Sequence, residues 1–169
     1  MTPPIIWSIA GTDSGGGAGL SADQRAVEAF GLHLCPVPAA LTAQNSVAVT
    51  RVQAVDADLL QAQLDALATD MPPHAVKTGL LGSAANVRAL AQTLDRLRRD
   101  APVPLVIDPV LRATTGAALA DAALLAALRA DLLPRASAIT PNRREAAALL
   151  GLPHDAAMPV PDMARALQA

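Results

Sequence analysis

The sequence predicts an α/β fold, a mainly parallel sheet with helices on both faces. Three observations predict it. Short apolar runs alternate with longer segments of helical periodicity along the chain. Five such strand–helix units follow in series, a pattern that calls for crossover connections. Each run also ends in a Gly-rich or polar cluster, and open α/β sheets bind ligands at the carboxyl ends of their strands. No linker or composition shift divides the 169 residues, and about 150 residues is usual for one domain. A single domain over residues 1–169 is expected.

Ile5 to Ala10 is a continuous apolar run suited to a strand buried on both faces. Ala18 to Phe30 has helical spacing, with Leu20, Val27 and Phe30 among polar residues and Gly31 placed to close it. Leu34 to Leu41 is the second apolar run, but Pro36 and Pro38 cannot donate to a ladder and count against a strand there. Val47 to Val55 alternates weakly, as a small flap would. Asp58 to Leu67 reads as a helix with Leu59, Leu60, Leu64 and Leu67 on one stripe. Ala75 to Thr78 is a short third strand.

Ser83 can cap a helix running to about Arg99, and Val103 to Ile107 is the clearest β-branched run. Asp121 caps an Ala- and Leu-rich segment through Leu133, with Pro134 after it. Ser137 to Ile139 makes a fifth strand, and Asn142 to Leu150 a helix closed by Gly151. A last helix starts near Pro161 and runs to Ala169. In a βαβ series that helix should feed another strand.

Composition excludes several classes. Hydrophobic residues are 52% of the chain and charged residues 17%, which is incompatible with intrinsic disorder. Aromatic residues are 1%, Trp7 and Phe30 alone, and the net charge is −2. There is thus neither a stacking platform nor a basic stripe for nucleic acid. No run reaches the ~18 apolar residues of a membrane span, and Met1 to Ala10 has no basic leader region. Cys35 is the only cysteine, so no internal disulfide forms; it reads as a small buried hydrophobe. A cytoplasmic protein is expected.

Five clusters follow the five strands. Gly11-Thr12-Asp13-Ser14-Gly15-Gly16-Gly17-Ala18-Gly19 follows the first, and Thr42-Ala43-Gln44-Asn45 the second. Lys77-Thr78-Gly79-Leu80, Asp108-Pro109-Val110 and Thr140-Pro141-Asn142, with Glu145 one turn on, complete the series. The glycine stretch is not a P-loop, since Lys77 is the only lysine and follows Val76, and its spacing places no third glycine for G-x-G-x-x-G, Leu20 standing three residues after Gly17. It can serve as a sharp turn that needs positive φ. It can equally allow close backbone approach to a small flat ligand, with free amides at a helix start near Ala18. Asp13 and Asp23 bracket it, as caps or as acceptors for a ligand hydroxyl or amine.

Gln44 carries a donor and an acceptor on one amide, the chemistry that reads an aminopyrimidine edge. Asn142 and Glu145, three apart, fit a capping box or a carboxylate that holds hydrated Mg²⁺ beside nucleotide phosphates. Asp108, at a strand end, reads as a second metal or phosphate-side group, or as a cap. His33, His74 and His154 lack zinc-ligand spacing.

Taken in order, these pieces resemble the hydroxymethylpyrimidine/phosphomethylpyrimidine kinases. Ile9 to Gly19 with Ala22-Asp23, Ala40 to Asn45, Lys77 to Leu81, Asp108-Pro109-Val110 and Ile139 to Glu145 carry the resemblance, which runs from about Ile5 to Gly151. Pyridoxal kinases share the ribokinase-like fold and the Asn-x-x-Glu element, but Ala43-Gln44-Asn45 favours the pyrimidine enzymes.

The resemblance implies a thiamine-biosynthesis kinase that uses ATP and Mg²⁺. Its substrates are 4-amino-5-hydroxymethyl-2-methylpyrimidine and the monophosphate of that alcohol. By similarity, Gln44 reads the pyrimidine edge, Gly11 and Ala18 line the ring, Leu80 and Val110 sandwich it, and Asp23 lies near the hydroxymethyl end. Asn142 and Lys77 fall on the cofactor side, with Glu145 and Asp108 toward the metal.

The resemblance also implies a Gly-Thr-Gly-Cys or similar element that supplies the anion hole and the catalytic residue. Nothing after Gly151 matches it. The expectation is a C-terminally shortened fold with the pyrimidine pocket and half of the metal site, or a pyrimidine-binding module without turnover. One sheet edge is then open, and a homodimer is a natural way to cover such an edge.

Overall fold

The computed structural model describes residues 2–112, 119–153 and 156–168. His154 and the last residue of the expected C-terminal helix lie outside them.

Strand β1 (Ile5–Gly11) is followed by helix α1 (Gly19–Ala29), strands β2 (His33–Gln44) and β3 (Val49–Ala54), and helix α2 (Ala57–Asp70). Strand β4 (Ala75–Thr78), helix α3 (Ala84–Leu97), strand β5 (Leu105–Ile107) and helix α4 (Ala122–Ala127) come next. Strand β6 (Ala138–Ile139) precedes helices α5 (Arg143–Leu150) and α6 (Val160–Gln168). The six strands form one sheet in the order β3-β2-β1-β4-β5-β6. All neighbours are parallel except β2 and β3, which pair antiparallel from Ala40–Ala54 to Gln44–Val49. The expected flap is therefore an edge strand that extends the sheet.

Strand alternation assigns the two faces. Trp7, Ile9, Val76, Leu105 and Ile107 point into the main core, which Leu60 and Leu64 of α2, Val87, Leu90 and Leu94 of α3 and Leu124 of α4 complete. Ser8, between Trp7 and Ile9, bonds instead to Asp23 of α1, so α1 covers the opposite face. Ala146 and Ala147 of α5 and Met163 of α6 form a second, smaller cluster.

Pro36 and Pro38 lie inside β2 after all. Strand β3 pairs only with the far half of β2, from Ala40 on, so the prolines stand where β2 has one strand neighbour, β1. There a missing N–H costs no ladder bond, and the Pro38 carbonyl accepts from Gln63 Nε2 of α2.

Two stripe assignments need correction. Leu59 is 59% exposed, because the core-facing stripe of α2 runs through Leu60, Leu64, Leu67 and Ala68 and Leu59 lies outside it. Phe30 is 81% exposed: it is the C-cap of α1, where the chain has left helical geometry and Gly31, at φ +69°, turns it toward β2. The segment after Asp121 also divides. Asp121 caps α4 by accepting from Leu124 N at 2.7 Å. One wider turn follows, closed by Leu133 N on Leu128 O, then a tight turn holding Pro134. No described helix is long and apolar enough to cross a membrane.

Candidate functional site

Strand order places the site. From β1 the chain steps to β2 on one side and later to β4 on the other, so β1 and β4 flank the topological switch point, where parallel sheets open a crevice at their carboxyl ends. The glycine turn leaves β1 at that point, and Lys77 and Thr78 end β4 beside it, with Gly79 and Leu80 leaving the strand. Gly11 and Leu80 touch across the crevice: a Cβ on Gly11 would stand 3.2 Å from Leu80 Cδ2.

The turn is organised by Asp13. Its carboxylate accepts from Gly15 N at 2.8 Å, and from Gly17 N and Ala18 N at 2.9 Å each. Gly16 and Gly19 take positive φ, +71° and +56°. The expected use of glycine as a sharp turn at positive φ is therefore met at both positions. The Ala18 amide is not free, however. Asp13 occupies it, a bond that spacing alone did not reveal.

Ser14 ties the turn to β2. Its hydroxyl donates to Gln44 O at 2.6 Å and accepts from Gln44 N at 2.8 Å. One residue pair over, Thr42 Oγ1 donates to Thr12 O at 2.8 Å, and Thr12 N donates to Ala40 O at 2.9 Å. The Gln44 main chain is thus fixed against the glycine turn at Ser14 and Gly15. Ser14 and Thr42 were not among the expected site residues. Their signal was a hydroxyl in the turn after β1 and another at the carboxyl end of the neighbouring strand β2.

On the α1 face, Lys77 Nζ lies 2.9 Å from Asp23 Oδ2 and 3.1 Å from Oδ1, with both side chains about one quarter exposed. Asp108 leaves β5 next to β4, and Val110 follows with its N–H on the Asp108 carbonyl at 2.9 Å. Burial pushes the Asp108 carboxyl above its ordinary value; the positive charge of Lys77 opposes the rise and the negative charge of Asp23 adds to it. Asp23, Lys77 and Asp108 therefore act electrostatically on one another.

Asn142 caps α5 by accepting from Arg144 N and Glu145 N at 3.0 Å each, and Glu145 Oε2 accepts from Asn142 N at 2.9 Å. The capping box is complete. Glu145 is nonetheless only 8% exposed. Burial raises its pKa, the Asn142 amide opposes the rise, the nearby charge of Asp108 adds to it, and the Leu111 amide opposes it again.

This has a measurable consequence. A carboxyl whose folded pKa is raised favours the folded state below its unfolded value and loses that contribution as pH rises through the folded pKa. Relative to Glu145→Gln, the wild-type chain should lose stability as pH climbs above 4.5, the ordinary Glu value. The difference should level off once Glu145 is ionised. Urea unfolding of both proteins across that range checks it, and a pH-independent difference contradicts the assignment.

A surface groove elsewhere, between α2 and α3, is lined by charged groups that engage one another, Arg96 with Asp65 at 2.7 Å among them. It gathers none of the chemistry found at the strand ends.

The phosphomethylpyrimidine kinase family model matches residues 13–169. The hydroxymethylpyrimidine/phosphomethylpyrimidine kinase of Synechococcus elongatus is 45% identical over 152 residues, 90% of this chain and 56% of the relative. The Escherichia coli enzyme of that name is 42% identical over 147 residues, 87% of this chain and 54% of its own. The chain thus spans about half the length of these curated relatives. Among solved structures, phosphomethylpyrimidine kinase from Clostridium difficile superposes with a TM-score of 0.83 at 32% identity, over 97% of this chain and 68% of that one. An ADP complex of Bacillus subtilis pyridoxal kinase gives 0.80 at 29% identity, over 98% and 59%. The sheet order, the ribokinase-like architecture and the sequence likeness agree: the chain belongs to the phosphomethylpyrimidine kinase family.

Proposed function

We propose that this chain binds 4-amino-5-hydroxymethyl-2-methylpyrimidine in the β1–β4 crevice and phosphorylates it, and then its monophosphate, with ATP and Mg²⁺ for thiamine biosynthesis. One observation carries the reading. The Ser14 hydroxyl locks the Gln44 main chain to the glycine turn while Leu80 packs over Gly11 at the start of that turn, which supports reading the ends of β1, β2 and β4 as one site. Gln44 supplies the acceptor and donor for the ring nitrogen and exocyclic amine. Gly11 and Ala18 line the ring, Leu80 and Val110 hold its faces, and Asp23 meets the hydroxymethyl group. The reading includes a single domain, a cytoplasmic location and a homodimer.

The carboxylates suit a divalent cation. Asp108 and Glu145 are partly or largely buried, and Asp108 makes Glu145 harder to ionise, a strain that a cation near both relieves. Among described residues no three His, Cys, Asp or Glu side chains gather into a closed cage. Mg²⁺ ordinarily uses one or two carboxylates and fills its remaining positions with waters and substrate phosphates. When bound it would neutralise phosphate charge. Asn142 and Lys77 would lie on the same side toward the nucleotide. Phosphoryl transfer depends mainly on positioning and charge stabilisation, and these residues supply positioning: Gln44 orients the ring, and Asp23 orients the hydroxyl.

Gln44→Ala should weaken pyrimidine binding by about 1–3 kcal/mol, because a buried ligand amine loses its partner. Calorimetric titration measures this, and an unchanged affinity refutes the edge-reading role. Product formation from ATP and the pyrimidine tests the kinase reading. A second reading is a binding module without turnover. It predicts pyrimidine affinity with no product. Tighter binding of pyridoxal than of the aminopyrimidine would turn the substrate assignment toward the pyridoxal kinases.

A further inference from the structure

Ser8 is an unusual residue for its place. It lies in the middle of β1, which has strand neighbours on both sides, and it has no exposed surface. A buried hydroxyl is costly unless bonded, and this one donates to Asp23 Oδ2 at 2.6 Å. Its register partner on β4 is Lys77, whose ammonium reaches both oxygens of the same carboxylate. Gly79 makes the space: a Cβ there would stand 3.0 Å from Ala10 Cβ and 3.3 Å from Lys77 Nζ. Lys77 is also the only lysine, all other basic residues except the three histidines being arginine. A compact ammonium suits a niche that a planar guanidinium fork does not.

Residues from β1 and β4 therefore converge on one carboxylate of α1, at the switch point. Removing an ion pair of this kind from water commonly costs as much as its attraction returns. Stability alone is a poor reason for it. An ionised carboxylate offers about four acceptor sites. The serine and the two lysine contacts occupy three and set its direction, leaving one to accept from a ligand hydroxyl.

We propose that Ser8 and Lys77 are positioning residues that hold the Asp23 carboxylate toward the hydroxymethyl end of the bound pyrimidine and so set the preference for the alcohol over the same ring without its hydroxyl. This rests on the placement of Asp23 proposed above. Neither residue touches the ligand in this arrangement; both act through Asp23.

The test is calorimetric titration of this chain with 4-amino-5-hydroxymethyl-2-methylpyrimidine and with 4-amino-2,5-dimethylpyrimidine, which lacks only the hydroxyl. Ser8→Ala and Lys77→Met should each weaken the alcohol about five- to twentyfold and the dimethyl compound less than about twofold. Ser8→Thr should restore the alcohol's affinity. In an Asp23→Asn background, Ser8→Ala should add nothing to the discrimination. Fluorescence of Trp7, the only tryptophan and wholly buried, verifies that each variant is folded. If Lys77→Met does not fold, the Ser8→Ala and Ser8→Thr pair decides. Equal weakening of both ligands, or of neither, overturns the inference and leaves the pyrimidine site standing. A wild-type chain that binds neither ligand overturns both.

Discussion

Gly19→Ala is expected to destabilise the chain by about 2–4 kcal/mol and to abolish pyrimidine binding. Gly19 opens α1 with φ +56°, and a Cβ there would stand 2.2 Å from Gly11 O and 3.2 Å from Gly11 C. Both neighbours are backbone, so no side chain can swing aside. The first turn of α1 must move away from the end of β1, or the end of β1 must move with Leu80, which packs on Gly11. Gly16→Ala is the control. Gly16 also has positive φ, +71°, but nothing lies within 4 Å of its Cβ position. It should cost only the conformational penalty, about 1 kcal/mol. Urea unfolding followed through Trp7 separates the two. Equal losses would mean that close approach of α1 to β1 is not what the glycine provides.

Asn86→Leu should cost about 2–4 kcal/mol, although leucine nearly preserves the volume and is the better helix former. Asn86 has no exposed surface, and its Nδ2 lies 2.8 Å from Leu81 O, 3.1 Å from Val55 O and 3.2 Å from Ala39 O. Ala39 O keeps a second donor in Val55 N. The other two carbonyls are left in an apolar interior without their side-chain donor, where each orphaned group costs about 1–3 kcal/mol. Those carbonyls belong to the segments that follow β3 and β4, so the amide pins the loop carrying Leu80 to the end of β3 that lies beside Ala39. The same Trp7-monitored unfolding checks it. A variant as stable as wild type would show that the three contacts are incidental.

The fold was legible where one element decides its own shape. Ala75 to Thr78, the Ser83 cap and the Asn142–Gly151 helix all depend on local periodicity and on cap residues within a few positions. Pro36 and Pro38 misled because a proline's cost depends on which strand lies beside it, and chain order does not give strand order. Leu59 misled because Leu60 can share an apolar stripe with either of its flanks, and only the partner surface selects which side is buried.

The site divides the same way. The residue types at the strand ends were readable as a set. The bonds that fix them, Asp13 to three amides and Ser14 to Gln44, link loops whose distance the sequence does not state. Asn86 carried a readable signal: it falls on the stripe of Leu90, Thr93 and Leu97 at i+4, i+7 and i+11 of α3. A polar residue at such a position must find buried partners.

The account turns on a pyrimidine lying between the glycine turn, Gln44 and Leu80. The most direct measurement is a titration of the ¹⁵N-labelled chain with 4-amino-5-hydroxymethyl-2-methylpyrimidine, followed residue by residue through its amide resonances. The account predicts saturable shifts concentrated at Gly11, Ala18, Gln44 with its side-chain amide, and Leu80, with α2, α3 and α6 unmoved. Saturable shifts centred on the α2–α3 groove, or none at any concentration, would contradict it.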